Sequence, residues 1–376
     1  MIRSNRLCVT LLTAPLLLSL ALGGVLAGPA LAETPRAVER GHVFTLSNNV
    51  GGNRVLVFDR RPDGVLVAAG SVATGGTGPG SGLGSQGAIV LTDNGRHLLA
   101  VNTGSNDVSL FAVRHDGLRL LDTEPSGGAK PVSVTVHDDL VYVLNGGDNT
   151  ISGLKIHDGA LEPIAGSTRG LVNPGAVAPQ IGFTPDGDQL IVTEKTTDTI
   201  DVFNLDENGT TSAPRANTSN GATPFGFAFD NGGHLIVSNA AGGAPDASSL
   251  TSYTVRDNGQ LLTIDGPVAN TESAACWVAV SKNGRYAYTT NTGSGSISGY
   301  GIGHGGTLNL LNTDGVTATT GAGPIDVDFS SNGRYFYTLN AGSHSITIDR
   351  TRPDGGLDSI ATALGVPNAA VGIAAT

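Results

Sequence analysis

Glu194 and Lys195 stand side by side at the end of the hydrophobic run QLIVTEK, a place where related stretches of the chain carry Asn and a small residue. A carboxylate beside an ammonium in a partly desolvated cleft can move protons, and this pair is the first candidate for catalysis. Five residues are candidates for binding a substrate near it: Lys130 ahead of the run PVSVTV, Glu272 ahead of CWVAV, Trp277 within that same run, and Gln180 and Asp326 near the starts of two further runs. Lysines would hold a substrate carboxylate and the single tryptophan would supply an apolar wall. No His, Cys or carboxylate spacing typical of a metal site accompanies them. Asp-rich turns such as Asp59–Gly64 lack the ligand spacing of a calcium loop, so neither a metal nor a cofactor is expected.

The elements that would position these groups form a repeat. Runs ending in a polar residue recur as HVFTLSNN, HLLAVNTG, LVYVLNGG, QLIVTEKT, HLIVSNAA, YAYTTNTG and YFYTLNAG. Aligned on Asn48, Asn102, Asn145, Glu194, Asn239, Asn291 and Asn340, they lie 43 to 54 residues apart. Each is followed by a second alternating run, then by a turn such as Pro62-Asp63-Gly64 or Pro353-Asp354-Gly355, and by a weaker strand. Period-two alternation between Asn-Gly and Asp-Gly turns predicts consecutive antiparallel strands. Four strands per period of about 40–50 residues is the pattern of a β-propeller blade. The fold expected is all-β, a seven-bladed propeller of four-stranded antiparallel blades.

Units two to seven also have a leading strand, beginning at Gly87, Pro131, Pro179, Pro224, Cys276 and Pro324, whereas unit one starts directly at His42. The C-terminal stretch AAVGIAA, Ala369–Ala375, matches those leading strands and is expected to close the ring as the innermost strand of blade one. One face of the leading strands carries Ile89, Val134, Ile181, Phe227, Val278, Val327 and Val371 and should pack between blades. The other face starts with Ala88, Ser133, Gln180, Gly226, Trp277, Asp326 and Ala370, a ring around the channel mouth. Small residues are expected where blades converge, so Gln180, Trp277 and Asp326 mark that mouth. The opposite end, made of turns such as Asp93-Asn94-Gly95 and Lys282-Asn283-Gly284, reads as structural. Val72–Ser85 is Gly-rich and reads as a long flexible loop.

Residues 1–32 carry Arg3, Arg6, an apolar run and Ala30-Leu31-Ala32, the signature of a secretory signal peptide cleaved near Ala32. Residues 33–41 follow as a linker and 42–376 as one propeller domain. The expected location is secreted or periplasmic in a bacterium, without a lipid anchor because Cys8 precedes the apolar run. Cys276 is then the sole mature cysteine and should be buried and inert. Loss of Arg3 and Arg6 leaves 19 Lys+Arg against 32 Asp+Glu, an acidic balance that argues against nucleic-acid or anionic-membrane partners. A monomer is expected, meeting a small molecule or a protein at the mouth.

The motifs YTTN at Tyr288–Asn291, YTLN at Tyr337–Asn340 and YVLN at Tyr142–Asn145 resemble the YVTN propeller repeat. The mature chain is similar over its length to the lactonase family of seven-bladed propellers, which includes 6-phosphogluconolactonase and 3-carboxymuconate cyclase. The segment Gly182–Phe203 resembles that family's signature, with Glu194 where the family has Asp. The resemblance implies a secreted lactone hydrolase or muconate-cycloisomerase-like enzyme acting on a small carboxylated lactone. Family enzymes carry a His four residues before the signature Phe, and here that place is Pro179. The alternative is therefore a non-catalytic extracytoplasmic propeller that binds a ligand or protein on the same face.

Overall fold

The computed structural model describes residues 41–376. The expected signal peptide, and the linker except Gly41, lie outside them. Gly41 itself is the first residue of a strand, Gly41–Leu46. Strands occupy the described chain almost throughout, and the helix present among these residues is a single 3-10 turn, Ala241–Gly243. The strands form seven antiparallel sheets, each a four-strand path ordered from a leading strand outward. Blades three and six gain a two-residue fifth strand, Arg169–Gly170 and Ala318–Thr319.

Blade one is completed from the far end of the chain. Val371–Ala375 pairs with Gly41–Leu46, in the register Val43 with Ala375 and Thr45 with Ile373. The seam is tied further by His42, whose N–H donates to Thr376 Oγ1 at 2.7 Å and whose carbonyl accepts Thr376 N–H at 2.9 Å. Closure removes the exposed edge that the first and last blades would otherwise present. Pairing also refines the repeat. Ser47 donates to Arg54 O and takes the position that Asn102 holds opposite Asp107 in blade two, so the blade-one equivalent is Ser47 and not Asn48.

The core lies between blades. Phe44, Leu46 and Val55 of blade one pack with Leu98, Val101 and Phe111 of blade two, and Val43 and Phe58 pack with Tyr337 and Ile346 of blade seven. The seven apolar positions of the leading strands, from Ile89 to Val371, are all buried. Each such side chain contributes roughly 1.5–3 kcal/mol relative to exposure. Tyrosines of the second strands add a polar stitch: Tyr142, Tyr288 and Tyr337 donate to the carbonyls of Gly209, Gly355 and Gly64 in the next blade. Gly64 and Gly355 sit at φ +89° and +86° against the rings of Tyr335 and Tyr286, where a Cβ would collide. Those Asp-Gly turns thus need glycine for both backbone and contact.

A second stitch runs along the inter-blade loops. Asn102, Asn145, Asn239, Asn291 and Asn340 each donate from Nδ2 to a hydroxyl on the third strand, Ser109, Ser152, Thr251, Ser298 and Thr347, at 2.7–2.9 Å. Blade four carries Glu194 and Asp201 at these two places.

Candidate active site in the central channel

The Gly-rich segment crosses the axis of the ring and seals one end of the channel. Ser85 O accepts the indole N–H of Trp277 at 2.9 Å, and Ser85 Oγ donates to Val132 O at 2.7 Å. Gln86 N–H donates to Pro179 O, and its side-chain amide spans both backbone groups of Val278, accepting at 3.0 Å and donating at 2.7 Å. Blades three, four and six are thereby tied to two consecutive positions, Ser85 and Gln86, of a segment that the sequence suggests is loose. Glycine permits the close approach, and the polar atoms at its C-terminal end supply the anchors. Gln180 makes the same bridge between blades four and five, through Phe227 N at 2.7 Å and Phe227 O at 3.0 Å.

Above this floor the channel is open. A cavity of about 960 Å³ runs from Gln86, Gln180 and Asp326 out to the turns at Asp93–Gly95, Pro185, Lys282 and Ser331. The open face is therefore the one with turns between first and second strands, which the sequence reading treats as purely structural. The leading strands stand at the ends of their sheets, so their unpaired edges form the wall and point backbone donors and acceptors inward. Thr135, His137, Asp93, Asp326, Asp328 and Lys282 are among the chemically active side chains of the lining.

Two carboxyl groups dominate. Asp326 and Asp328 are two apart on one strand, Pro324–Phe329, and period-two geometry directs both to the channel. Asp326 is 3 % exposed, and burial pushes its carboxyl up from 3.8 to about 8, against a smaller opposing effect of backbone hydrogen bonds from Val327, Ile373 and Gly87 and with added repulsion from Asp328. Val327 N–H donates to its Oδ1 at 3.0 Å. Asp328 keeps some contact with channel solvent although protein surrounds it. Burial raises its affinity for a proton while the Lys282 ammonium opposes the rise. Its oxygens accept Phe329 N–H at 2.7 Å and Ala375 N–H at 2.9 Å, so the closing strand helps to orient it. Burial thus favours the neutral form of both carboxyl groups, and Lys282 offsets part of that effect at Asp328.

Of the seven sequence candidates, Gln180 and Asp326 meet in this cavity. Glu194 does not reach it: it is fully buried at the blade-three to blade-four loop, with Oε2 accepting Asn173 Nδ2 and Thr197 Oγ1, both at 2.6 Å. Lys195 lies on the outer side of the sealed end, its Nζ donating to Gly84 O at 3.0 Å and 4.7 Å from the Phe225 ring centre. Burial lowers its affinity for a proton. Trp277 is 5 % exposed and packs at 4.9 Å on Phe225 beneath the crossing segment, so the partly exposed indole that a pocket wall would require is not found. Lys130 is exposed in a loop, and Glu272 accepts Ser296 Oγ at 2.7 Å at an inter-blade seam. Cys276 is buried beside Trp277 with its thiol pushed up to about 11 by burial, as expected of an inert cysteine.

A family model described as lactonase, 7-bladed beta-propeller, matches residues 46–178, 138–263 and 175–372, overlapping stretches that cover nearly all of the described chain. The chain belongs to the lactonase family of seven-bladed β-propellers. No curated protein matches it in sequence. Among solved structures, this lactonase-family propeller is similar to a protein from Lactobacillus plantarum, at 19 % identity and a TM-score of 0.73 over 90 % of this chain and 99 % of that one. A candidate 6-phosphogluconolactonase from Bacteroides uniformis gives 21 %, 0.71, 89 % and 99 %, and the periplasmic gluconolactonase of Pseudomonas aeruginosa 16 %, 0.70, 89 % and 99 %. At such identities the likeness is one of fold.

The lactonase-family propeller has lining residues that the sequence reading does not single out. Asp328 carries a usable signal, because period two places it on the face of Asp326. Gln86, the last polar residue before a leading strand, carries none until the segment is seen to cross the axis.

Proposed function

We propose that this propeller hydrolyses a small lactone inside the central channel, with Asp328 taking a proton and Asp326 giving one. The observation that supports the reading is Asp326, a carboxyl group sealed into the floor of an open cavity and holding its proton to about pH 8. Asp328 in its anionic form removes a proton from water as the water oxygen bonds to the lactone carbonyl carbon. The oxyanion that forms meets N–H groups of the strand edges. Collapse breaks the ring C–O bond, and Asp326 protonates the departing ring oxygen, leaving a hydroxy acid. Proton exchange with solvent then restores both carboxyl groups.

Hydrolysis of a panel of five- and six-membered lactones, corrected for spontaneous opening, tests this. D326N should lose about 10²–10⁴-fold in kcat while melting as the parent does at pH 7, because Asn replaces a carboxyl group that is already neutral. Activity of the parent should fall as pH rises through about 8. An unimpaired D326N, or a parent inert towards every lactone, would sink the proposal. The absence of the family's His at Pro179 favours one other reading, a binding propeller, in which ligands occupy the same channel without turnover. We further infer an extracytoplasmic location from Arg3, Arg6, the apolar run and Ala30-Leu31-Ala32, supported by the periplasmic gluconolactonase of similar fold. Mass spectrometry of the exported protein should find Glu33 at the N-terminus.

A further inference from the structure

The cavity lining holds Asp93, Asp326 and Asp328 against Lys282. Resting on the reading above, we propose that the channel takes an uncharged, hydroxyl-rich ring and refuses phosphorylated and carboxylated lactones. An anionic substrate needs a cation or a dedicated cluster of donors. Among the lining residues Lys282 is the one Lys or Arg, and it is exposed at the rim, where Asp328 already faces it. Lys195 lies beyond the floor on Gly84 O, Lys130 lies on the opposite loop face, and Arg169 is spent on the carbonyls of Gly166, Thr168 and Thr211. None of these can reach the cavity. The acids are better represented, with Asp93 at the rim and Asp326 and Asp328 inside.

Asp326 also reports on the floor. An environment that makes a carboxyl group keep its proton to about pH 8, chiefly by withholding water, imposes the same penalty on an incoming phosphate or carboxylate. Hydroxyl groups face no such penalty. They meet the Thr135 hydroxyl, which has no hydrogen-bond partner among the described residues, the carboxyl of Asp326 and the edges of six leading strands. The sequence-based expectation of a carboxylated ligand depends on Lys130 and Lys195, and tertiary structure removes both from the site.

The test compares D-glucono-1,5-lactone, its 6-phosphate and a carboxylated sugar lactone as substrates of the full-length mature protein. At low salt, kcat/KM for the uncharged lactone should exceed that for either anion by at least about tenfold, and high salt should narrow the ratio because screening weakens repulsion from the carboxylates. D93K, a change at the exposed rim, should narrow it as well. Equal rates, or preference for an anion, would overturn the inference while leaving lactone hydrolysis intact. If no lactone is hydrolysed, the functional reading fails separately, and calorimetric binding of 1,5-anhydroglucitol against its 6-phosphate decides the charge preference. Tighter binding of the phosphate, or binding of neither, would then count against it.

Discussion

Glu194 shows how a residue that looks catalytic in the sequence can be fully buried and lie outside the channel cavity. In five blades the same position is Asn donating to a Ser or Thr hydroxyl; in blade four an acid faces an acid. Asp201 is buried, accepts Val172 N–H at 2.9 Å, and has its carboxyl pushed up by burial and by Glu194. Two carboxyl groups at such a spacing are accommodated by sharing a proton. The pair can therefore replace Asn and Ser without leaving two adjacent charges. We expect E194N and D201S each to destabilise by about 1–3 kcal/mol, by stranding the partner and, for E194N, the Asn173 amide. The double variant should cost less than the two singles together, because it restores the arrangement of the other blades. Chemical denaturation of the three variants would show it, and strict additivity would remove the coupling.

Among the elements, the closing strand and the crossing segment have different duties. Deleting residues 366–376 removes Val366, Val371 and Ile373, all buried, together with the backbone pairing of Gly41–Leu46 and the N–H that Ala375 gives Asp328. At roughly 1.5–3 kcal/mol per buried aliphatic side chain, the loss is comparable with the whole stability of an ordinary domain. The truncated protein should lose its cooperative unfolding transition in calorimetry, and a melting temperature within a degree or two of the parent would show that closure is dispensable. The crossing segment includes Gln86, whose amide makes the side-chain hydrogen bonds that the Val278 backbone groups have among the described residues. Q86A should cost about 1–3 kcal/mol for the unpaired N–H and C=O. A denaturant midpoint unchanged from the parent would mean that water replaces the amide without penalty.

At the scale of the whole molecule, burying acids gives stability a direction with pH. Burial pushes Asp326 up to about 8 and Asp349 up to about 7, with Asp358 adding to the second. Each is near 3.8 when unfolded, so between these limits the folded chain binds more protons than the unfolded one. Stability is then greatest at the acid end and falls as pH rises. The melting temperature should drop by roughly 10 °C between pH 5 and pH 8, and D326N should flatten the slope. A melting temperature that rises across this interval would contradict buried, protonated carboxyl groups.

The sequence alone carries the blade count, the strand order, the apolar ring and the closing strand, because all four follow from period-two alternation and turn residues that act within a few positions of one another. It also points to Asp326 and Gln180, since a bulky polar residue where blades converge breaks a steric rule that is local to the strand. Lys195 and Glu194 mislead for the opposite reason. Their charge is visible in the sequence, but whether a charge faces solvent, a shared proton or a ligand depends on loops from neighbouring blades, here residues 171–173 and Ser81–Gln86. Which end of the channel is open follows from the path of that Gly-rich segment. A stretch without periodicity has no preferred direction until three blades present the carbonyl and amide groups that fix it, so the location of the open cavity was decided by the tertiary structure.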